Sequence, residues 1–185
     1  MINFKKALLL GLLGVFTLSS CTKDEEDDTS VNEFPQELLI DGTRYDLGEG
    51  FIFNYGTSSD YQGANLDLNI LSSGLDVIYD ADGFPDSVTG SGFVMYLEMY
   101  SSDSTALTAG TYNMDTTGTG NLLTISNGEV FSYGTAVETE YAFVSGSIEV
   151  MRENGVYSLV GSFVEEGGKE IKMSYQKSIV VIDDN

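Results

Sequence analysis

Short runs of alternating apolar and polar residues, cut by glycine, asparagine and aspartate pairs, fill this chain from Phe34 to Ile182. No segment of helix length keeps apolar residues at a 3.6-residue spacing. An alternation of period two puts successive side chains on opposite faces of a strand, so a chain built from it must fold as sheet. Turn residues every ten or so positions fit antiparallel pairing, because parallel strands need crossovers of a dozen residues or more. The expectation is one antiparallel all-β domain over residues 34–185.

The pattern places strands at Glu37 to Ile40 and Thr43 to Leu47, joined by Asp41-Gly42, a pair that tolerates the positive φ of a tight hairpin. Phe51 to Tyr55 and Ala64 to Leu71 follow; in the second, Leu66, Leu68 and Ile70 face one way and Asn65, Asp67 and Asn69 the other. Phe93 to Tyr100 is apolar on both faces, as a central strand would be. Gly110 to Met114 is short, and Leu122 to Ser126 and Glu129 to Tyr133 flank Asn127-Gly128, which reads as a second hairpin. Tyr141 to Met151, Val156 to Val164, Lys169 to Tyr175 and Ile179 to Ile182 form a closing meander with a turn at Asn154-Gly155. Eight to ten strands suit either a β-sandwich, which is the favoured arrangement, or a closed lipocalin-like β-barrel.

Ahead of the domain, Lys5 and Lys6 precede a 12-residue apolar run, Ala7 to Leu18. A charged start, a short apolar stretch and small residues after it make a secretory signal peptide, and 12 residues are too few to span a bilayer as a helix. Leu18-Ser19-Ser20-Cys21 then resembles the lipobox of bacterial lipoproteins, which implies cleavage between Ser20 and Cys21 and acylation of the Cys21 thiol. Cys21 is the only cysteine, so it has no partner for an internal disulfide. Residues 21–33 carry Lys23, Asp24, Glu25, Glu26, Asp27 and Asp28 with almost nothing apolar, the composition of a solvated tether.

A lysine and an acidic run just after the lipidated cysteine resemble the surface-export signal of Bacteroidetes lipoproteins. Leu107-Thr108-Ala109-Gly110-Thr111-Tyr112 and the closing hairpins through Tyr157-Ser158-Leu159 and Gly167-Gly168 resemble β-rich surface lipoproteins of the same group. The resemblance implies an outer-membrane protein held by a lipid anchor and displayed at the cell surface, with the periplasmic face as the alternative. It implies a fold and an address, and no activity.

Once residues 1–20 are removed, six basic residues stand against 29 acidic ones. Nucleic acid is therefore excluded as a partner, since a phosphate backbone rewards lysine and arginine clusters. There is no histidine, which removes the usual general base near neutral pH and the imidazole ligand for zinc or iron. No nucleophile motif stands out, and close acidic pairs such as Glu138 with Glu140 and Glu165 with Glu166 read as solvated edge and turn residues, so no catalytic residue is assigned. The one stretch with metal character is Asp80-Ala81-Asp82-Gly83-Phe84-Pro85-Asp86, whose alternate aspartates and glycine carry half the ligand set of a Ca²⁺ loop; as a plain polar turn it needs no ion. No other cofactor is expected. Tyr55, Tyr61, Tyr79, Tyr96, Tyr100 and Tyr133 fall at strand ends or in loops, where rings with a polar tip suit a glycan or an envelope protein. The function expected is that of a non-catalytic binding or envelope-structural module, with a lipocalin-like carrier of a small apolar ligand as the alternative.

Overall fold

A computed structural model describes residues 34–183. The signal peptide, Ser20, Cys21 and the tether Lys23, Asp24, Glu25, Glu26, Asp27 and Asp28 lie outside the described residues. Twelve strands make up the fold: β1 (Glu37–Ile40), β2 (Thr43–Thr57), β3 (Ala64–Ser72), β4 (Leu75–Tyr79), β5 (Pro85–Gly90), β6 (Gly92–Ser101), β7 (Gly110–Met114), β8 (Thr124–Tyr133), β9 (Glu140–Glu153), β10 (Val156–Glu165), β11 (Glu170–Ser178) and β12 (Val180–Asp183).

The chain is all-β, as its alternation requires. Of the two arrangements open to the sequence, the ring is the one that forms: β1 pairs with both β11 and β2, which closes the order β1-β11-β10-β9-β7-β8-β6-β3-β2 on itself. The favoured sandwich is matched only in that opposite walls pack across a shared core. Alternation sets which face of a strand is buried, but closure depends on whether the first strand reaches the last, and Leu38 opposite Met173 on one side and Tyr45 on the other achieves that here.

Two short parallel strands fill places where the ring parts. β8 meets β9 only over Glu129 to Phe131, and β7 slots between them beyond, antiparallel to β9 and parallel to β8. β12 lies parallel on β2 along Phe51 to Asn54, beyond the stretch that β1 covers, and its Asp183 carboxylate accepts a 2.7 Å hydrogen bond from buried Asn54.

Inside the ring, residues such as Leu66, Leu97, Ile148, Leu159, Phe163 and Tyr175 are almost wholly buried in one continuous cluster. A ring of this strand number is just wide enough for side chains to fill it, and they do. Phe143 stacks on Phe163 with centroids 4.5 Å apart, over Gly146, where a Cβ would lie 2.7 Å from the Phe163 ring. An apolar interior and a mainly polar exterior reverse the pattern of a membrane-spanning barrel.

Three departures from the expected strands have local causes. The runs at Thr43 to Leu47 and Phe51 to Tyr55 are one 15-residue strand, with register shifts between Leu47 and Gly50 and between Asn54 and Gly56. Asn127-Gly128 is no hairpin but the middle of β8, because Gly128 faces the core where a Cβ would stand 2.8 Å from Leu97 and 2.9 Å from Phe143. The stretch from Leu75 to Gly90 is a hairpin, β4–β5, that folds over the outside of the ring and covers a second apolar cluster of Phe51, Leu71, Leu75, Val94 and Ile182.

Candidate functional site

The sites that stand out lie on the outer wall made by β2, β3, β6, β8 and β9. Strand register puts Asp67 directly opposite Glu98, Tyr96 directly opposite Glu129, and Phe131 directly opposite Glu140. Interior positions alternate with these on every strand, so the named residues share the outward face. No lysine or arginine among the described residues pairs with Asp67, Glu98 or Glu129: Arg44, Arg152, Lys169, Lys172 and Lys177 lie at the start of β2, at the end of β9 and along the β10–β11 hairpin.

At one end of this wall the side chains of Glu129, Phe131, Ser132, Tyr133, Thr135, Glu138, Thr139 and Glu140 line an open groove of about 590 Å³. Burial, then a hydrogen bond shared with Glu140 and that residue's charge, raise the Glu129 carboxyl above the ordinary carboxylate range. A like charge nearby makes a carboxyl hold its proton more tightly. Glu138 and Glu140 are both exposed, in keeping with their reading as edge residues, and Glu140 adds its charge beside the Glu129 carboxyl. Along the rim, the Ser132 hydroxyl accepts from the Thr139 backbone N–H at 2.7 Å.

The middle of the wall is drier. Asp67 is only 9% exposed, and the Tyr96 hydroxyl donates to its Oδ2 at 2.9 Å. Burial, against the Tyr96 hydrogen bond and with help from the Glu98 charge, lifts the Asp67 carboxyl from 3.8 to about 6. Tyr96 in turn is held far above the ordinary tyrosine range by burial and by Asp67, so it remains a donor. Glu98 accepts three hydrogen bonds, from Asn65 Nδ2 at 3.0 Å, the Tyr100 hydroxyl at 3.1 Å and the Ser126 hydroxyl at 2.5 Å. Ser126 reaches it because the β6–β8 register steps between Glu98 and Met99, from Asn127 to Ile125, leaving Ser126 as the extra residue of a bulge.

The sequence signal for this cluster lies in a strand read as buried on both faces. Glu98 alternates there with Tyr96 and Tyr100, and an acid in such a place needs donors. Asp67 gave no such signal, since Asn65, Asp67 and Asn69 read as a wet face.

Asp80, Asp82 and Asp86 lie at the tip of the β4–β5 hairpin or just into β5, all exposed. Asp80 Oδ1 accepts the backbone N–H groups of Asp82 at 2.9 Å and Phe84 at 2.8 Å, so this carboxylate shapes the turn. Among the described residues no three acidic or cysteine side chains group as metal ligands. Glu165 is no solvated turn residue: it is 8% exposed, and its carboxylate accepts the backbone N–H groups of Gly167 and Lys169, which hold it below the ordinary range.

The six tyrosines do not form one display. Tyr100 is buried beneath Tyr61, with centroids 4.9 Å apart, and Tyr96 is turned onto Asp67. Tyr79 donates to Glu49 and Tyr133 to the Val88 carbonyl oxygen, while Tyr55 is 46% exposed.

No protein-family model, curated protein or solved structure matches the chain. The site is therefore argued from its own chemistry. What Glu129, Glu138 and Glu140 offer beside Phe131 and Tyr133 is a set of hydrogen-bond acceptors next to aromatic faces, in a groove open to solvent.

Proposed function

We propose that this chain is an outer-membrane lipoprotein, anchored through Cys21 and displayed at the cell surface on its acidic tether, that binds a neutral glycan of the envelope without transforming it. The observation that carries the binding reading is the groove of Glu129, Phe131, Tyr133, Glu138 and Glu140. Sugar hydroxyls are donors that carboxylates accept, and a pyranose face packs on an aromatic ring. The anionic wall repels phosphate-bearing partners, which favours an uncharged occupant over nucleic acid or an acidic lipid headgroup. A filled interior favours an exterior site. The second reading, a carrier of a small apolar ligand, has the closed ring in its favour and the packing of Leu97, Leu159 and Phe163 within it against it.

The test is an NMR titration of the lipidated chain in detergent with a panel of neutral oligosaccharides. Saturable shifts at Phe131, Tyr133 and Thr139 that vanish in Phe131→Ala and Glu140→Gln are expected. No shift at millimolar sugar, or binding untouched by both substitutions, sinks the glycan reading. The address is tested separately: fatty-acid labelling disappears in Cys21→Ser, and protease added to intact cells removes the domain if it faces outward.

A further inference from the structure

Two buried oxygens on the outer wall have no hydrogen-bond partner, Asp67 Oδ1 and Asn65 Oδ1. Both are acceptors, one charged when ionised. Asn65 cannot turn its amide over to help, because its Nδ2 is committed to Glu98 at 3.0 Å, and a turned amide would set oxygen against carboxylate. An unpaired buried acceptor costs about 1–3 kcal/mol in protein, and more if it carries charge. A positive charge or a proton on the carboxyl would relieve that cost.

The surroundings narrow what it is. Asp67 faces Phe53 from β2 and Glu98 from β6, with Tyr55, Tyr96 and Tyr100 around them and Glu129 one strand further on. No lysine or arginine among the described residues reaches the cluster. A divalent cation of the calcium type takes six to eight oxygens. The carboxylate and amide oxygens here come from Asp67, Asn65 and Glu98 alone, Glu98 already accepts from Asn65, Tyr100 and Ser126, and both orphan oxygens are sealed from the water that would complete a coordination shell. A proton needs a single oxygen and no room.

We infer that Asp67 is a proton-binding site of the outer wall: its carboxyl is held protonated opposite Glu98 in mildly acidic surroundings and ionises as they turn neutral. With the proton on, Asp67 sets no second carboxylate charge opposite Glu98. With it off, two carboxylates face each other across β3 and β6 with Tyr96 as the only donor to Asp67. The direction of the Asp67 shift, upward through burial and the Glu98 charge, agrees with this. The sign for folding follows. A carboxyl that binds its proton more tightly when folded favours the fold while the proton is on, and that contribution falls away as pH rises from about 4 to about 6. The β3–β6 wall is thus tighter in acid than at neutrality. Tyr96 pairs with Asp67 and stands directly opposite Glu129, so the change reaches the edge of the groove through one side chain.

The experiment follows the carboxyl carbons of the lipidated chain by NMR from pH 3.5 to 8, with amide exchange of β3 and β6 in parallel. The expected result is an Asp67 midpoint near 6, and exchange at Asn65 to Asn69, corrected for its intrinsic pH dependence, that quickens about tenfold between pH 5 and 7. Asp67→Asn, which keeps an acceptor for Tyr96 and stays neutral, should level that change. A wild-type midpoint below about 4.5 overturns the inference with no need of a variant, as does a pH dependence that survives in Asp67→Asn. Movement of the Asp67 resonance on adding Ca²⁺ at pH 7.5 also overturns it, since the site would then take a metal ion.

Discussion

The wall of β9, β10 and β11 and the wall of β3, β6 and β8 share one interior and differ in what they turn outward. On the first, Leu159 and Phe163 face the core while Val160 and Val164 are exposed, and its cations sit in water: Lys172 with Glu170, Arg152 near Tyr157, Lys169 over Tyr141. On the second, Leu66, Leu68 and Leu97 fill the same core, yet Asp67 and Tyr100 on the outward face are almost as buried as they are. A polar group in water exchanges one hydrogen-bond partner for another at little cost. The same group under a neighbouring side chain must find its partners in the protein. The second wall thus joins its outward acids to donors on neighbouring strands, where the first leaves most of its outward face to solvent and the carboxylate of Glu165 to its own turn.

The sharpest way to break that comparison is through the shared interior. Leu97→Ala and Leu159→Ala each remove a wholly buried side chain, one from each wall, and each should cost about 2–5 kcal/mol in denaturant unfolding. A loss from only one wall would mean that the ring does not unfold as a unit, and that the two walls differ within as well as without.

The next largest effect separates the exteriors. Tyr96→Phe takes away the one donor to Asp67 and leaves the ring in place. The tyrosine hydrogen bond lowers the Asp67 carboxyl against the upward effect of burial, so its loss moves the titration further up. The cost should be about 1–3 kcal/mol at pH 7.5, where a buried carboxylate is left bare, and much smaller at pH 5, where the group is protonated. Equal losses at the two pH values would mean that the hydroxyl serves packing alone.

How far the sequence speaks for each wall follows from the same difference. Alternation with solvent on one side is written directly in residues 156–164 and 169–175, and the hairpin pairs Asp41-Gly42 and Asn154-Gly155 take the positive φ angles their residue types permit. Asn127-Gly128 carries the same two-residue signal and is strand, because the fit of Gly128 against Leu97 and Phe143 is a property of three strands together. Asn65, Asp67 and Asn69 alternate as a wet face would, and only the placing of Tyr96 and Phe53 beside them makes that face dry. Neither the ring closure nor the Glu129–Glu140 contact is local, so no pattern within one strand announces them. Glu98 between two tyrosines was the one local trace of the acid wall.

The smallest effect belongs to the first kind of exterior. Arg44, at the start of β2, reaches Glu37 at 3.3 Å and Asp46 at 3.2 Å, with 60% of its side chain exposed. Water screens both pairs, and holding a long side chain in place costs entropy that the attraction scarcely offsets. Arg44→Met keeps much of the aliphatic stem and removes the charge, so it should cost no more than about 1 kcal/mol, most of it gone in 0.5 M salt. Tyr96→Phe should respond far less to salt, because the Asp67 carboxyl is only 9% exposed and buried charges are screened much less. Comparing the two variants at low and high ionic strength therefore tests the distinction itself: a salt response of the same size in both would place Asp67 in water after all, and the wall of β3, β6 and β8 would be solvated like its opposite.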